Sequence, residues 1–287
     1  MTTLGVIGGS GVYTLKALRD ADRLLVETPF GVPSAPVRAG TIGDTTILFV
    51  PRHGEGHRFS PTNLPYRANI HALKQLGATH VLSLSAVGSL REDLPPRSIV
   101  IPDQVIDRTV ARERTFFDES VVAHVGMADP FCPVFRRTLL AAAKSAGQPV
   151  RDGGTYVCIE GPQFSTRAES QLYRSWGATI IGMTAMPEAR LAREAELCYA
   201  ALALVTDFDV WHDSEADVSV EMVMSNLEAN GQAAANILDA LATVGIPDRA
   251  CGCADALQTA IVTVADQVDA ESRRRLRLLA GRRLGTP

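Results

Sequence analysis

The 287-residue sequence predicts an α/β fold: a single-domain mixed or largely parallel β-sheet surrounded by helices, with a C-terminal helical extension. Three observations carry that expectation. Short apolar runs of strand length recur along the chain, they alternate with longer segments of helical spacing, and no internal repeat or low-complexity tract interrupts them. Runs with no polar side belong to a sheet covered on both faces, and their alternation with helices marks crossover connections. With 46% hydrophobic residues, the chain can bury one large core.

The first strand, expected over residues 4–7, runs into Gly8-Gly9-Ser10-Gly11. A second, over 46–50, stops at Pro51. Pro61-Thr62-Asn63 introduces a helix over 65–76, and strands over 80–84 and 98–101 follow. A Leu- and Ala-rich helix spans 133–146. Next come a strand over 155–159, a helix over 167–176 ahead of Gly177, a strand over 179–183 and a helix over 187–197. The nearly all-apolar strand 199–206 leads to a helix over 218–243, where Val220, Val223, Met224 and Leu227 recur at helical spacing. Gly245-Ile246-Pro247-Asp248 is the weakest point of the pattern. It divides a main domain, 1–245, from an extension, 246–287, that packs on the same domain and is expected to be helical over 254–284.

Charge and cysteine usage exclude several classes. A net charge of −4 leaves no footprint for a nucleic-acid partner. The one basic cluster, Arg273, Arg274, Arg275, Arg277, Arg282 and Arg283, reads as a solvated helix end. No apolar run has the ~18 residues of a membrane span, and the N-terminus lacks a signal-peptide pattern, so the cytoplasm is the expected location. Five cysteines are too few and too odd in number for a disulfide framework. Cys251-Gly252-Cys253 alone has a spacing of interest. Zinc there would need two more soft ligands, and the sequence offers no evident partner pair. No metal site is expected; buried idle thiols are the plain reading, with a local disulfide or redox pair as the alternative.

Five segments carry chemistry. Gly8-Gly9-Ser10-Gly11 lets amide groups converge on an anion, yet lacks both the third glycine of a dinucleotide fingerprint and the Lys-Ser/Thr of a P-loop. Arg52-His53-Gly54-Glu55-Gly56-His57 follows a strand end, where a guanidinium can fork onto phosphate and an imidazole can donate beside it. Ser85-Ala86-Val87-Gly88 ends another strand with a small hydroxyl and accessible amides. Gly182-Met183-Thr184 offers a third hydroxyl and an adaptable apolar contact. Thr206-Asp207-Phe208-Asp209 sets two carboxylates after the most apolar strand. Facing a purine, one can protonate a ring nitrogen and the other accept from an exocyclic amine. Each segment alone is also compatible with turn, cap or surface chemistry.

Taken together and in order, the segments resemble the methylthioadenosine phosphorylase branch of the trimeric purine nucleoside phosphorylase family. The carriers are GGSG at 8–11, PRHGEGH at 51–57, PYRANIHALK at 65–74, SAVGSL at 85–90, DQVIDRT at 103–109, MADPFCP at 127–133, EGPQFSTRAES at 160–170, GMTAMPEA at 182–189 and TDFDVW at 206–211. They cover roughly residues 4–227. The resemblance implies a mixed sheet surrounded by helices, assembled as a homotrimer or a dimer of trimers, with no metal or organic cofactor. Inorganic phosphate is then a co-substrate and a purine nucleoside the other. It implies a phosphate pocket of Ser10, Arg52, His53, Ser85, Ala86 and Thr184. It implies a purine against Phe164 and beside Ser165, with Asp207 at N7 and Asp209 near the 6-amino group. Met183 would meet the ribose, Val220, Val223 and Met224 the 5′-thiomethyl group, and His124 would come from a neighbouring subunit. The implied reaction is phosphorolysis of 5′-methylthioadenosine. 5′-Methylthioinosine or another 5′-substituted 5′-deoxyadenosine is the alternative substrate, since Gly182-Met183-Thr184 also occurs in a relative acting on the inosine compound. That relative lacks the Asp207–Asp209 pair, which favours adenine. Ser10 and Ser85 stand where threonine is frequent, and both keep the hydroxyl. The Cys251-Gly252-Cys253 tail resembles thermophile-type members in which cysteines can pair.

Overall fold

The computed structural model describes residues 2–9, 21–117, 120–212 and 218–285. Four long or central strands run parallel: β1 (Thr2–Gly8), β4 (Thr45–Pro51), β5 (His80–Ser89) and β11 (Cys198–Asp207). Around them lie β2 (Asp22–Leu24), β3 (Val37–Ile42), β6 (Ile99–Ile101), β7 (Gln104–Asp107), β8 (Arg151–Asp152), β9 (Thr155–Cys158) and β10 (Ile180–Gly182). All eleven join one mixed sheet. β5 is its branch point. His80–Leu84 pair with β1 on one side, and the strand pairs with β11 on the other. Gly88 and Ser89 instead pair antiparallel with Ile181 and Ile180 of β10.

Side chains on the central strands alternate between two cores, as strand geometry requires. Leu4 and Val6, Leu82 and Leu84, and Ala200, Leu202 and Leu204 point to one face. Ile7, Val81, and Tyr199, Ala201, Ala203 and Val205 point to the other. The first face is covered by α2 (Pro133–Ser145) through Phe135, Leu139 and Ala142, and by α5 (Val220–Val244) through Leu227, Ile237 and Leu241. The second is covered by α1 (Tyr66–Gln75) through Ile70 and Leu73, and by α4 (Ala185–Glu194) through Ala189, Leu191 and Ala192. The helix α3 (Arg167–Ser175) begins with a reciprocal cap between Thr166 and Glu169, and α5 begins with Ser219 accepting from Met222 N and ends at Gly245, whose φ is +92°.

The expected strands and helices recur within a few residues, and the α/β sheet wrapped by helices is the fold observed. The extension departs from expectation. It holds short 3-10 turns at Gly252–Asp255 and Ala265–Gln267, then α6 (Ala270–Arg275) and α7 (Arg277–Ala280), in place of a continuous helix over 254–284. Its Leu257, Ala260, Val268, Leu276, Leu279 and Leu284 nevertheless join the core beneath α1 and α4. The basic cluster is likewise more than a solvated helix end. Arg273 donates to the carbonyls of Ala265, Val268 and Leu284, tying the extension to itself. Arg274, Arg275, Arg277, Arg282 and Arg283 line a cleft with Lys74 and Arg249.

The cysteines require a further correction. Cys251 and Cys253 do have a partner pair: their sulfurs and those of Cys132 and Cys198 all lie within 4.8 Å of one another. Cys132 caps α2, accepting from Phe135 N, and Cys198 opens β11. Neither neighbourhood could be read from spacing, because 119 residues separate Cys132 from Cys251 and 53 separate Cys198 from it.

Candidate active site

The exits of β1, β4, β5, β10 and β11 open into one cavity of about 470 Å³. Ligands in open α/β sheets gather at such strand ends. Arg52, His53, Ser85, Ala86, Met183 and Thr184 line the cavity, as do Phe164, Asp207, Asp209, Val220, Val223 and Met224. Twelve of the expected residues, scattered from 52 to 224, are therefore in one place. Gly9 lines the wall, with open space where a side chain would be, while Ser10 lies outside the described residues. Ser165 sits behind the lining, next to Asp209. His124 is not part of this chain's own cavity; its backbone N–H bonds to Ala260 in the extension.

At the donor end the arrangement differs from a free cationic fork. Arg52 leaves β4, its backbone N–H bonded to Gly8 O at 2.9 Å, and its side chain turns inward to 1% exposure. Nε donates to Glu188 Oε1 at 2.6 Å, Nη2 to Ser83 Oγ at 2.7 Å, and Nη1 to Leu84 O at 2.9 Å. Burial disfavours the guanidinium cation, but the Glu188 carboxylate overrides it and holds the pKa above the ordinary value. Glu188 also accepts from Ser83 Oγ at 3.0 Å and Tyr199 OH at 3.1 Å. Arg52 thus brings a neutralised, fixed edge to the cavity.

His53 is also not the donor expected. Its Nδ1 lies 2.9 Å from Phe59 O, and since a carbonyl only accepts, Nδ1 carries the proton. Burial pushes its pKa down to about 4, so the ring is neutral near pH 7 and Nε2 is an acceptor. His57 stacks on it, with ring centroids 4.1 Å apart. The hydroxyls complete this end. Ser85 Oγ meets Thr184 Oγ1 at 3.2 Å, and Thr184 makes no cap to the helix it precedes, which leaves the group turned to the cavity.

The carboxylate end is built by a β-bulge. Val205 pairs with Val87 and Asp207 with Gly88, leaving Thr206 as an extra residue in β11. Such an insertion re-aims the following side chain. Two amides of α5 support it: the half-buried Asn226 donates to Thr206 O at 2.8 Å and the buried Asn230 to Val205 O at 2.9 Å. Gly88 is required opposite, because a Cβ there would stand 2.8 Å from Asp207 Oδ1. Asp207 Oδ2 accepts from Thr206 Oγ1 at 2.7 Å, and Oδ1 from Asp209 N at 2.8 Å. Asp209 has φ of +53°, a left-handed conformation Asp tolerates. Its Oδ2 makes no hydrogen bond among the described residues, although the Ser170 and Ser165 hydroxyls stand close enough to favour its anion. Burial raises the pKa of both carboxyls, foremost among the causes in each case.

The third side is apolar and open. Phe164, Val220 and Met224 are 39%, 64% and 47% exposed at the cavity's edge. Val220, Val223 and Met224 share one face of α5's first turns.

Sequence reasoning missed Glu188, Asn226, Asn230 and Arg112. Arg112 donates to Tyr66 OH, to the carbonyls of Met183 and Met186, and to those of Ile159 and Glu160, stapling two lining segments together. The sequence signal for Glu188 is a carboxylate on the same helix as buried Ala189, Leu191 and Ala192. For Arg112 and the two asparagines no local signal exists.

This geometry can be set against known proteins. The Phosphorylase superfamily model matches residues 3–243. The S-methyl-5′-thioadenosine phosphorylase of Geobacter sulfurreducens is 51% identical over 279 residues, covering 97% of this chain and 98% of that protein. A crystal structure of methylthioadenosine phosphorylase from an Antarctic soil metagenomic library superposes with a TM-score of 0.90 at 47% identity, covering 97% of this chain and 98% of that one. Methylthioadenosine phosphorylase from Schistosoma mansoni in complex with adenine gives 0.87 at 37% identity, covering 92% and 100%. With a near full-length sequence match and a superposable fold in common, the chain belongs to the S-methyl-5′-thioadenosine phosphorylase family of the phosphorylase superfamily.

Proposed function

We propose that this cavity cleaves 5′-methylthioadenosine with inorganic phosphate, releasing adenine and 5-methylthioribose 1-phosphate, through the residues gathered there. The observation that carries the reading is the meeting, in one cavity, of hydroxyl, guanidinium and imidazole groups from β4, β5 and the start of α4 with the carboxylate pair from β11. Phosphate sits among Ser85, Thr184, the Arg52 edge and the chain at Ala86, with Ser10 added from the turn after β1. His53 Nε2 accepts from the P–OH of hydrogen phosphate, which suits its neutral form.

The purine lies against Phe164 beside Ser165. As the C1′–N9 bond breaks, its electron pair moves into the ring and N7 takes a proton from Asp207. The raised pKa of Asp207 favours that role. Positive charge grows on the ribose next to Met183, and a phosphate oxygen, already held below C1′, forms the new bond. Holding it there replaces a bimolecular encounter, an advantage of up to about 7–11 kcal/mol. Asp209 accepts from the 6-amino group. A 6-oxo group would set acceptor against acceptor, at about 1–3 kcal/mol. The P–OH proton of the new sugar phosphate is lost to solvent and Asp207 regains one from it, so the two substrates balance the two products without a cofactor.

Val220, Val223 and Met224 take the 5′-thiomethyl group. The exposure of Val220 and Met224 supports a homotrimer, or a dimer of trimers, in which His124 of a neighbouring subunit closes the open side. A cytoplasmic enzyme with no nucleic-acid or membrane partner completes the reading. Among the described residues, no helix is long and apolar enough to cross a membrane.

The test is a substrate panel with and without phosphate. Phosphate-dependent release of adenine from 5′-methylthioadenosine, faster than hypoxanthine release from 5′-methylthioinosine, is expected. Adenine release undiminished without phosphate would mark a hydrolase and overturn the mechanism, and faster cleavage of the inosine compound would overturn the role of Asp209.

A further inference from the structure

We propose that Cys132, Cys198, Cys251 and Cys253 form a structural tetrathiolate site for a single zinc ion that fastens the C-terminal extension to the sheet. All four are free thiols whose sulfurs lie within 4.8 Å of one another. Cys251 Sγ stands 3.6 Å from that of Cys132 and 3.4 Å from that of Cys198. Four sulfurs at about 2.3 Å from a tetrahedral centre are about 3.8 Å apart, so the cluster already has nearly the size of a zinc–thiolate tetrahedron. A closed set of four sulfurs, with no oxygen or imidazole ligand, selects a thiophilic cation over magnesium or calcium.

Three separate parts of the fold supply the ligands. Cys132 is the residue before α2, Cys198 opens β11, and Cys251 and Cys253 flank the start of a 3-10 turn at Gly252–Asp255. Three are buried and Cys251 is partly exposed, which leaves a route for the metal. Each thiol that binds gives up its proton to solvent, and four thiolates around a dication leave a net charge of −2. Groups suited to that charge are in place. Phe135 N–H points at Cys132 Sγ from 3.4 Å, and Arg193 Nη1 at Cys253 Sγ from 3.5 Å. N–H donors of this kind support metal thiolates.

The ion has no part in the reaction. Cys198 and Asp207 mark opposite ends of the ten-residue β11, about 30 Å apart at strand rise. Its function is to hold residues 246–287, whose helices are too short to stand alone, against the domain that carries the cavity.

The test uses the full chain purified without metal-affinity resin or chelator. Elemental analysis should find one zinc per chain. A thiophilic chelator should remove it, lower the melting temperature, and allow recovery when zinc is added back. Cobalt(II) in its place should give the visible absorption of a tetrahedral thiolate site. Cys251→Ser and Cys253→Ser should each lose the metal, whereas Cys158→Ser, which alters the one cysteine outside the cluster, should keep it. Metal-free protein with five titratable thiols would overturn the proposal in favour of idle thiols. Metal-free protein with a single free thiol would overturn it in favour of two disulfides.

Discussion

The two ends of the cavity hold charge in opposite ways. At the donor end, Arg52 and Glu188 neutralise each other inside a closed set of hydrogen bonds with Ser83 and Tyr199. At the other end, Asp207 and Asp209 are buried with no ion pair to a cation among the described residues, and burial raises their pKa values. The first end is finished before a ligand arrives. The second remains under-satisfied until a ligand brings donors to it. Preorganised groups need no rearrangement as an anion is held, while buried carboxyls with raised pKa are ready to give a proton.

Four substitutions break or sharpen that contrast. The largest effect is expected from Asp207→Asn, which keeps shape and removes the acid: kcat/KM should fall about 10²–10⁴-fold in steady-state assays. KM for phosphate should hold, because the donor end does not depend on Asp207. Glu188→Ala comes next. It leaves Arg52 buried and unpaired, and denaturant unfolding should register a loss of about 3–5 kcal/mol. Gly88→Ala forces a methyl onto Asp207 Oδ1, and overpacking of this kind costs about 1–3 kcal/mol. Turnover should suffer more than the melting temperature does, since the displaced group is the proposed acid.

The smallest effect is a gain. Asp209 has a folded pKa above its unfolded value, so its ionised form weighs against folding at neutral pH. Asp209→Asn should therefore melt higher than the unsubstituted protein near pH 7. The gap should close as pH falls through the folded pKa and below 3.8, where Asp209 is protonated in the folded and unfolded states alike. A gap that widens on acidification would show that the carboxylate is satisfied after all, and the contrast between the two ends would vanish.

The central strands and main helices were legible because each depends on a local pattern. Ala200, Leu202 and Leu204 declare a strand whatever lies beside them. β2, β3, β7 and β8 were not expected: Arg38, Gly40 and Thr41 of β3, or Arg151 and Asp152 of β8, carry too little apolar character to stand out, and they exist by pairing with β4 and β6. The helical pattern over 254–284 was misleading, since its leucines reach the core from short turns and two short helices and not along one long face. At the cavity, residue identity pointed to twelve lining positions but not to their hydrogen-bond states. That Arg52 is taken by Glu188, 136 residues away, and that Nδ1 of His53 donates to Phe59, are facts of packing. The same is true of the bulge at Thr206, which is a mismatch between two strands and has no single-strand signature.

β5 touches β1, β10 and β11 along its length, and its own residues Ser85, Ala86 and Gly88 face the cavity. Its neighbours are drawn from positions 2 and 207 of the chain alike. Pairings that distant form slowly, after the intervening loops have been closed. A nascent polypeptide consequently holds an unfinished cavity: until the segment that opens at Cys198 docks beside β5, the wall that carries Asp207 and Asp209 is missing.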